Sequence, residues 1–363
     1  MSSRHRIRAL LWFILAAIYY VVARGVASVA AGGLSSGIWF DFVDRAILLF
    51  LLIVGYSAMA YVGQRQQHPV AAMGLARRAG VGREFALGAA IGWTGMAACA
   101  LIIAIFGGMV IFFYTNWRQF AEIPLDILIL LIAALAQEVA FRGYPFQRLI
   151  EATGPLFATF AVSILYGLAH ITNDGASPAS FIVAMLAGWV LSIAYLRTRA
   201  LWVSWGIHFA WIASMSVLFG FPLVGITRYS PVISSTALGP TWLTGFDYGP
   251  EGSAIAIVVM LGLIVLTLYA TRGLSWEYAQ PAAVPVGSPD DVPAPAPPRH
   301  EPIIVPPPTP PPSEPIIVPP PKSEPIITPP PTPTGPLDPA VEPPHEQPTQ
   351  SREPEINQEN TPQ

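Results

Sequence analysis

The chain has 363 residues, of which 53% are hydrophobic and only 11% charged. A soluble domain carries about 25% charged residues, so the composition excludes an ordinary soluble enzyme. The net charge of −3 gives no reason to invoke nucleic acid, and a single cysteine, Cys99, excludes an intramolecular disulfide and a cysteine-based metal site.

A helix needs about 20 mostly apolar residues to cross a bilayer. Eight segments qualify: 8–31, 46–63, 86–114, 124–142, 155–172, 178–196, 200–220 and 253–271. The expected fold class is therefore all-α, a polytopic transmembrane helical bundle of about eight spans. An N-terminal helix occupies 1–40, a membrane domain 41–275, and a disordered proline-rich tail 276–363. The first segment also reads as a signal peptide, since Arg4, Arg6 and Arg8 precede it and "ASVAAG" offers a cleavage site. Its apolar run, Ala9 to Ala23, is at the upper limit for such a peptide, which favours an uncleaved helix. The basic stretch 64–85 either sets topology or lies along anionic head groups, and the first reading is the simpler one.

With the N-terminus in the cytoplasm, twelve arginines fall on inner segments, Arg142 and Arg148 among them. Four, Arg24, Arg45, Arg118 and Arg228, fall outside. This bias places both termini in the cytoplasm, and the chain has the look of a bacterial inner-membrane protein.

Beyond about Pro281 the composition changes. "EPIIVPPP" at 301 and 314 and "EPIITPPP" at 324 form an irregular repeat. Such a stretch adopts extended polyproline II and buries no core. It reads as a solvated spacer more readily than as a docking site for an unknown partner.

Ionisable groups inside spans are costly and face a cavity or a partner. Three places carry them: Gln137, Glu138 and Arg142 in "ALAQEVAFRG", His170 in "ILYGLAHITND", and His208 in "VSWGIHFAWIA". A hairpin folded at Thr153-Gly154-Pro155 sets position 138 opposite position 170, on the cytoplasmic side of the bilayer. His208 is eight residues past Ala200, about 12 Å along a helix. The three therefore share a depth. Two imidazoles and a carboxylate suit zinc, with the carboxylate as base toward bound water. Each has a plainer reading. Glu138 and Arg142 form an i,i+4 ion pair, Tyr166 and His170 hydrogen-bond to each other, and His208 is a core histidine among tryptophans.

These motifs, in this order, resemble the CAAX-processing and bacteriocin-processing family of intramembrane metalloproteases. "QEVAFRG" at 137–143 stands at its Glu-Glu-x-x-x-Arg motif, "YGLAH" at 166–170 at its Phe-x-x-x-His, and "HFAWI" at 208–212 at its His-x-x-x-Asn/Asp. "GPEGS" before the last span is also similar. The resemblance implies a helical membrane fold, zinc held by His170 and His208, and a water-activating glutamate at the first motif position. It further implies a membrane-embedded or lipidated peptide as substrate. Position 137 is Gln and position 212 is Ile, so the expected base and a polar partner of His208 are replaced. Glu138 is then the carboxylate left to act as base, Arg142 holds it, and Asn173 is a candidate replacement ligand.

Three functions follow: a zinc-dependent endopeptidase, a catalytically impaired scaffold that binds a peptide or partner protein, and a proton-relay transporter. The absence of an inverted repeat ranks the transporter last. Reporter fusions after Arg83, Arg199 and Arg272 are expected to signal cytoplasm, and an external signal from any one overturns the arginine assignment.

Overall fold

The structure is a computed structural model that describes residues 3–106, 108–113, 116–226, 229 and 232–274. The proline-rich tail and Arg228 lie outside the described residues.

Helix α1 (Ser3–Leu34) buries a stripe of small residues, Ala9, Ala16, Ala23, Ala27 and Ala31. The opposite face, with Leu11, Val22 and Val29, is exposed as a lipid-facing surface must be. The small stripe lets α1 pack closely on α2 (Ile38–Gln64). There the Tyr19 hydroxyl donates to the Leu51 carbonyl at 2.6 Å and the Tyr19 ring lies where a Cβ on Gly55 would stand.

Helix α3 (Val81–Ile105) ends before Gly108. The segment read as one span over 86–114 then turns into strand β1 (Met109–Phe113). This is a correction: "MVIFF" is β-branched and aromatic, and the glycine before it ends the helix. It pairs antiparallel with β2 (Ile233–Ala237), Met109 opposite Ala237 and Phe113 opposite Ile233.

Helix α4 (Trp117–Arg142) breaks at Gly143, and α5 (Tyr144–Thr153) continues to Gly154. Gly154 has φ 88°, so the expected turn is present and starts α6 (Pro155–Leu168). Ser177 caps α7 (Pro178–Thr198) with a capping box, and α8 (Trp202–Ala213) continues through a wider turn to Leu218. The short α9 (Thr241–Thr244) precedes α10 (Ala254–Ala270).

Among the described residues five helices, not eight, are long and apolar enough to cross a membrane: Ser3–Leu34, Trp39–Gln64, Val81–Ile105, Phe120–Thr153 and Pro178–Thr198. The other three apolar helices are shorter, Pro155–Leu168, Trp202–Leu218 and Ala254–Ala270. The first has 14 residues and reaches about 21 Å, short of a hydrocarbon core of about 30 Å. Composition alone ran past the helix ends: residues 169–172, counted as span, form turns. Non-helical backbone at such depth is tolerated where protein or a cavity surrounds it.

Two apolar clusters hold the bundle. One joins α3, α4, α7, α8 and α10 through residues such as Met96, Leu130, Val190, Ile207 and Leu263. The other joins α1, α2, α4 and α5 through Leu52, Tyr56, Val139 and Phe146. Between α3 and α8 the backbones touch. A Cβ added at Gly88, Gly92 or Gly206 would overlap the carbonyl of Val203, Ile207 or Phe85, respectively. Gly82, by contrast, has nothing within 4 Å. Gly206→Val is therefore expected to lower stability by about 2–3 kcal/mol, read as a drop in the thermal midpoint of detergent-purified protein. Gly82→Ala should leave the midpoint unchanged.

Candidate functional site

Two ends of the bundle differ in chemistry. At one end the connections after α2 and α7 are laced together. Gln147 donates to the Tyr195 hydroxyl at 2.8 Å, Arg78 to the Thr198 carbonyl at 3.1 Å, and the Leu201 amide to the Gly74 carbonyl at 2.9 Å. This is the arginine-rich end, with Arg65, Arg77, Arg78, Arg197 and Arg199. His208, six residues into α8, lies about 10 Å in from it by helix rise. Arg142, assigned to an inner segment, is fully buried in the bundle, and Arg148 is nearly so.

Glu138, Arg142 and His208 are brought together. Glu138 Oε1 accepts from His208 Nδ1 at 2.8 Å, and Arg142 Nη1 lies 3.5 Å from the same oxygen. Arg142 Nη2 donates to the Gly188 carbonyl at 3.0 Å, and its guanidinium lies 4.6 Å from the centre of the Tyr166 ring. Glu138 and Arg142 have no solvent exposure. The i,i+4 pair read from the sequence is thus real, and His208 is a third member rather than an isolated core histidine.

With its Nδ1–H given to Glu138, His208 presents Nε2 as an acceptor, 3.4 Å from the Tyr166 hydroxyl. The single proton of the Tyr166 hydroxyl goes either to that nitrogen or to Gln137 Oε1, 3.1 Å away. His170 sits just past the end of α6, with Nδ1 bonded to the Tyr166 carbonyl at 2.7 Å. The sequence reading paired the two side chains, whereas the bond goes to the backbone and leaves Nε2 as the acceptor nitrogen.

The hairpin count placed Glu138 beside His170. The structure places Gln137 there instead. Gln137 and His170 line a cavity of about 220 Å³ with Tyr20, Arg24, Arg45 and Asn173. The reason is the break at Gly143 (φ −72°, ψ −131°), which makes the first arm of the hairpin two helices rather than one straight rod. The cavity runs away from the arginine-rich end, toward the α1–α2 connection. Arg24 and Arg45 are held at its wall by Asp44, at 2.7 and 3.3 Å. Asn173 donates to the Tyr248 hydroxyl at 3.4 Å.

A second cavity, of about 90 Å³, joins Gln137, Tyr166, His170, His208, Ile212 and Glu251. Glu251 was missed by sequence reasoning. Its Oε1 accepts from Trp211 Nε1 at 2.8 Å. Burial pushes its carboxyl above the usual carboxylate range, against the pull of the Trp211 N–H and of His208. The available signal was one acid in the "GPEGS" turn, read only as a likeness in the approach to the last helix.

Imidazoles with one ring nitrogen tied to a carboxylate or a carbonyl are oriented as metal ligands are. A third donor is lacking at the expected positions, where Gln137 offers an amide and Ile212 a hydrocarbon. Among the described residues no group of three or more His, Cys, Asp and Glu side chains stands together to hold a metal ion.

Residues 119–214 match the family model described as Type II CAAX prenyl endopeptidase Rce1-like. The match takes in Gln137, Glu138, Arg142, His170 and His208, and so supports the resemblance drawn from the motifs. It leaves α1, α2, α3, Glu251 and α10 outside. No curated protein and no solved structure matches the chain.

Removing the acid from this CAAX-protease-like segment strands a buried guanidinium. Glu138→Ala is expected to cost about 3–5 kcal/mol of stability, whereas Gln137→Ala, at the cavity wall, should cost about 1 kcal/mol. Denaturation of the two variants in one detergent checks the contrast, and equal losses would show that Glu138 is not a structural anchor.

Proposed function

We propose that the protein is a catalytically impaired, protease-like membrane protein that holds a membrane-embedded or lipidated peptide, or the equivalent segment of a partner protein. The observation that carries this reading is the division of labour between neighbouring residues. Gln137 faces the cavity, and an amide cannot take a proton from water. Glu138, which could, has no exposure and is engaged by Arg142 and His208. Ile212 removes a further polar group from the cavity wall. What remains suits binding: walls of aromatic and aliphatic groups with a few fixed acceptors and donors.

A zinc-dependent endopeptidase is the second reading, favoured by the two imidazoles whose Nε2 atoms are left as acceptors. If zinc were held there, His170 and His208 would be its ligands, and it would polarise a peptide carbonyl. Glu138 would orient His208 rather than serve as the base. The five long apolar helices establish an integral membrane protein. Residence in a bacterial inner membrane with both termini in the cytoplasm is part of this proposal and rests on the arginine distribution. The cavity then opens away from the cytoplasmic end of the bundle.

Purified full-length protein in lipid nanodiscs is expected to retain photo-reactive single-span peptides, labelled at Gln137 or His170, and to leave them intact. Gln137→Glu with Ile212→Asn should introduce hydrolysis. Wild-type cleavage accompanied by one equivalent of zinc, lost together in His170→Ala, would replace the binding reading with the protease reading.

A further inference from the structure

Among the described residues the buried glutamates Glu84, Glu138 and Glu151 each come with a guanidinium, and the partly buried Glu251 at the cavity wall does not. Glu84 lies 2.7 Å from Arg78, Glu138 lies 3.5 Å from Arg142, and Glu151 lies 2.7 Å from Arg148. Glu251 has the Trp211 indole N–H, and among the described residues no basic side chain stands within 4.0 Å of it. A dehydrated carboxylate without a counter-charge is costly to the fold.

The turn that holds Glu251 is rigidly built. Gly245 (φ 70°) and Gly249 (φ 89°) occupy the left-handed region, and a Cβ on either would overlap the carbonyl of Gly249 or of Pro222, respectively. Ser253 then caps α10, accepting from the Ala256 amide at 3.1 Å. Glu251 is thereby fixed against a cavity of about 40 Å³ between α7, α8 and α10. The far walls are apolar, with Ala184, Val190, Leu191, Ile207, Met260 and Leu263, while Tyr166, His170, Ser180, His208, Tyr248 and Glu251 form the polar part. A water molecule needs about 10–15 Å³ on this scale, so the slot takes one side chain and no polypeptide backbone. The wider cavity beside Gln137 shares His170 with it and has room for backbone.

We propose that Glu251 is the receptor for a lysine side chain of the bound peptide, the apolar stem lying along the slot and the ammonium pairing with the carboxylate. This deepens the peptide-binding reading and rests on it. The counter-charge that the described residues do not bring to Glu251 is supplied by the ligand. A neutral side chain of the same length would fill the slot without relieving the carboxylate. An acidic one would add like charge beside it and be rejected.

The probes are n-hexylammonium, 1-hexanol and hexanoate, titrated into full-length protein in lipid nanodiscs. Binding is read by saturation-transfer NMR and by the shift in thermal midpoint. Hexylammonium is expected to bind at least about tenfold more tightly than hexanol, the ratio that one charge-assisted hydrogen bond supplies, with hexanoate weakest. Glu251→Gln should abolish the preference and leave hexanol binding in place. Equal binding of the three by wild type, or a preference that survives Glu251→Gln, overturns the proposal, as does no binding at all. The wild-type comparison decides the matter even if the variant does not fold. Single-span peptides that remain captured beside Gln137 while the amine shows no preference would remove the lysine assignment alone. Loss of both would remove the binding reading with it.

Discussion

A guanidinium with no access to water holds the centre of this bundle. Arg142 cannot shed its charge, so every element around it must supply an acceptor or an electron-rich face. Glu138 does so one turn back on α4, the Gly188 carbonyl from α7, and the Tyr166 ring from α6. His208 brings in α8 by bonding to the same Glu138 oxygen. Four helices are thus fixed in register by one charge. The satisfaction is incomplete: among the described residues Arg142 Nε and Nη1 and Glu138 Oε2 have no hydrogen-bond partner. A network of this kind specifies an arrangement more than it adds net stability, and here the arrangement is that of Tyr166 and His208 along one wall of a cavity.

Much of the fold was legible because lipid leaves few options. Backbone in hydrocarbon must be helical, so apolar runs located α1 and α7 and the ends of α2 and α4, whereas α2 and α4 start at Ile38 and Trp117, well before positions 46 and 124 where those runs begin. The Gly154 turn was legible because a glycine with φ 88° between Thr153 and Pro155 is hard to misread. What hydropathy could not report was where an apolar run stops being helix. Residues 109–113 are as apolar as the helix before them, and only pairing with a partner more than a hundred residues away makes them a strand. Likewise the residues after Leu168 and Leu218 are apolar enough to extend a span on paper, yet they fold over the cavity end.

The site was legible in its membership and not in its geometry. Gln137, Glu138, Arg142, His170 and His208 do gather, because unpaired polar groups in lipid must find each other. Which neighbour each one found was beyond residue counting. A rotation of about 100° per residue decides that Gln137 faces the cavity while Glu138 faces Arg142, and a single break at Gly143 changes the level reached by everything before it. Glu251 escaped notice because its role depends on Trp211, forty positions away in sequence, and on a glycine turn whose path sequence does not give.

Two acids near one histidine have opposite fates, and the contrast explains why a cavity can lose its chemistry and keep its shape. Glu138 is bound into the framework, so replacing it disturbs α4, α7 and α8 together. Positions 137 and 212 only line the space, and Gln and Ile there cost the framework little. Glu251 stands on the cavity side with no guanidinium bonded to it among the described residues, and on the proposed reading a ligand supplies that charge. A scaffold whose structural acid is paired with a guanidinium and whose cavity acid is not gains stability when a ligand of complementary charge fills the cavity. Occupancy by a ligand of the complementary charge is then favoured by the fold itself, with no covalent step required.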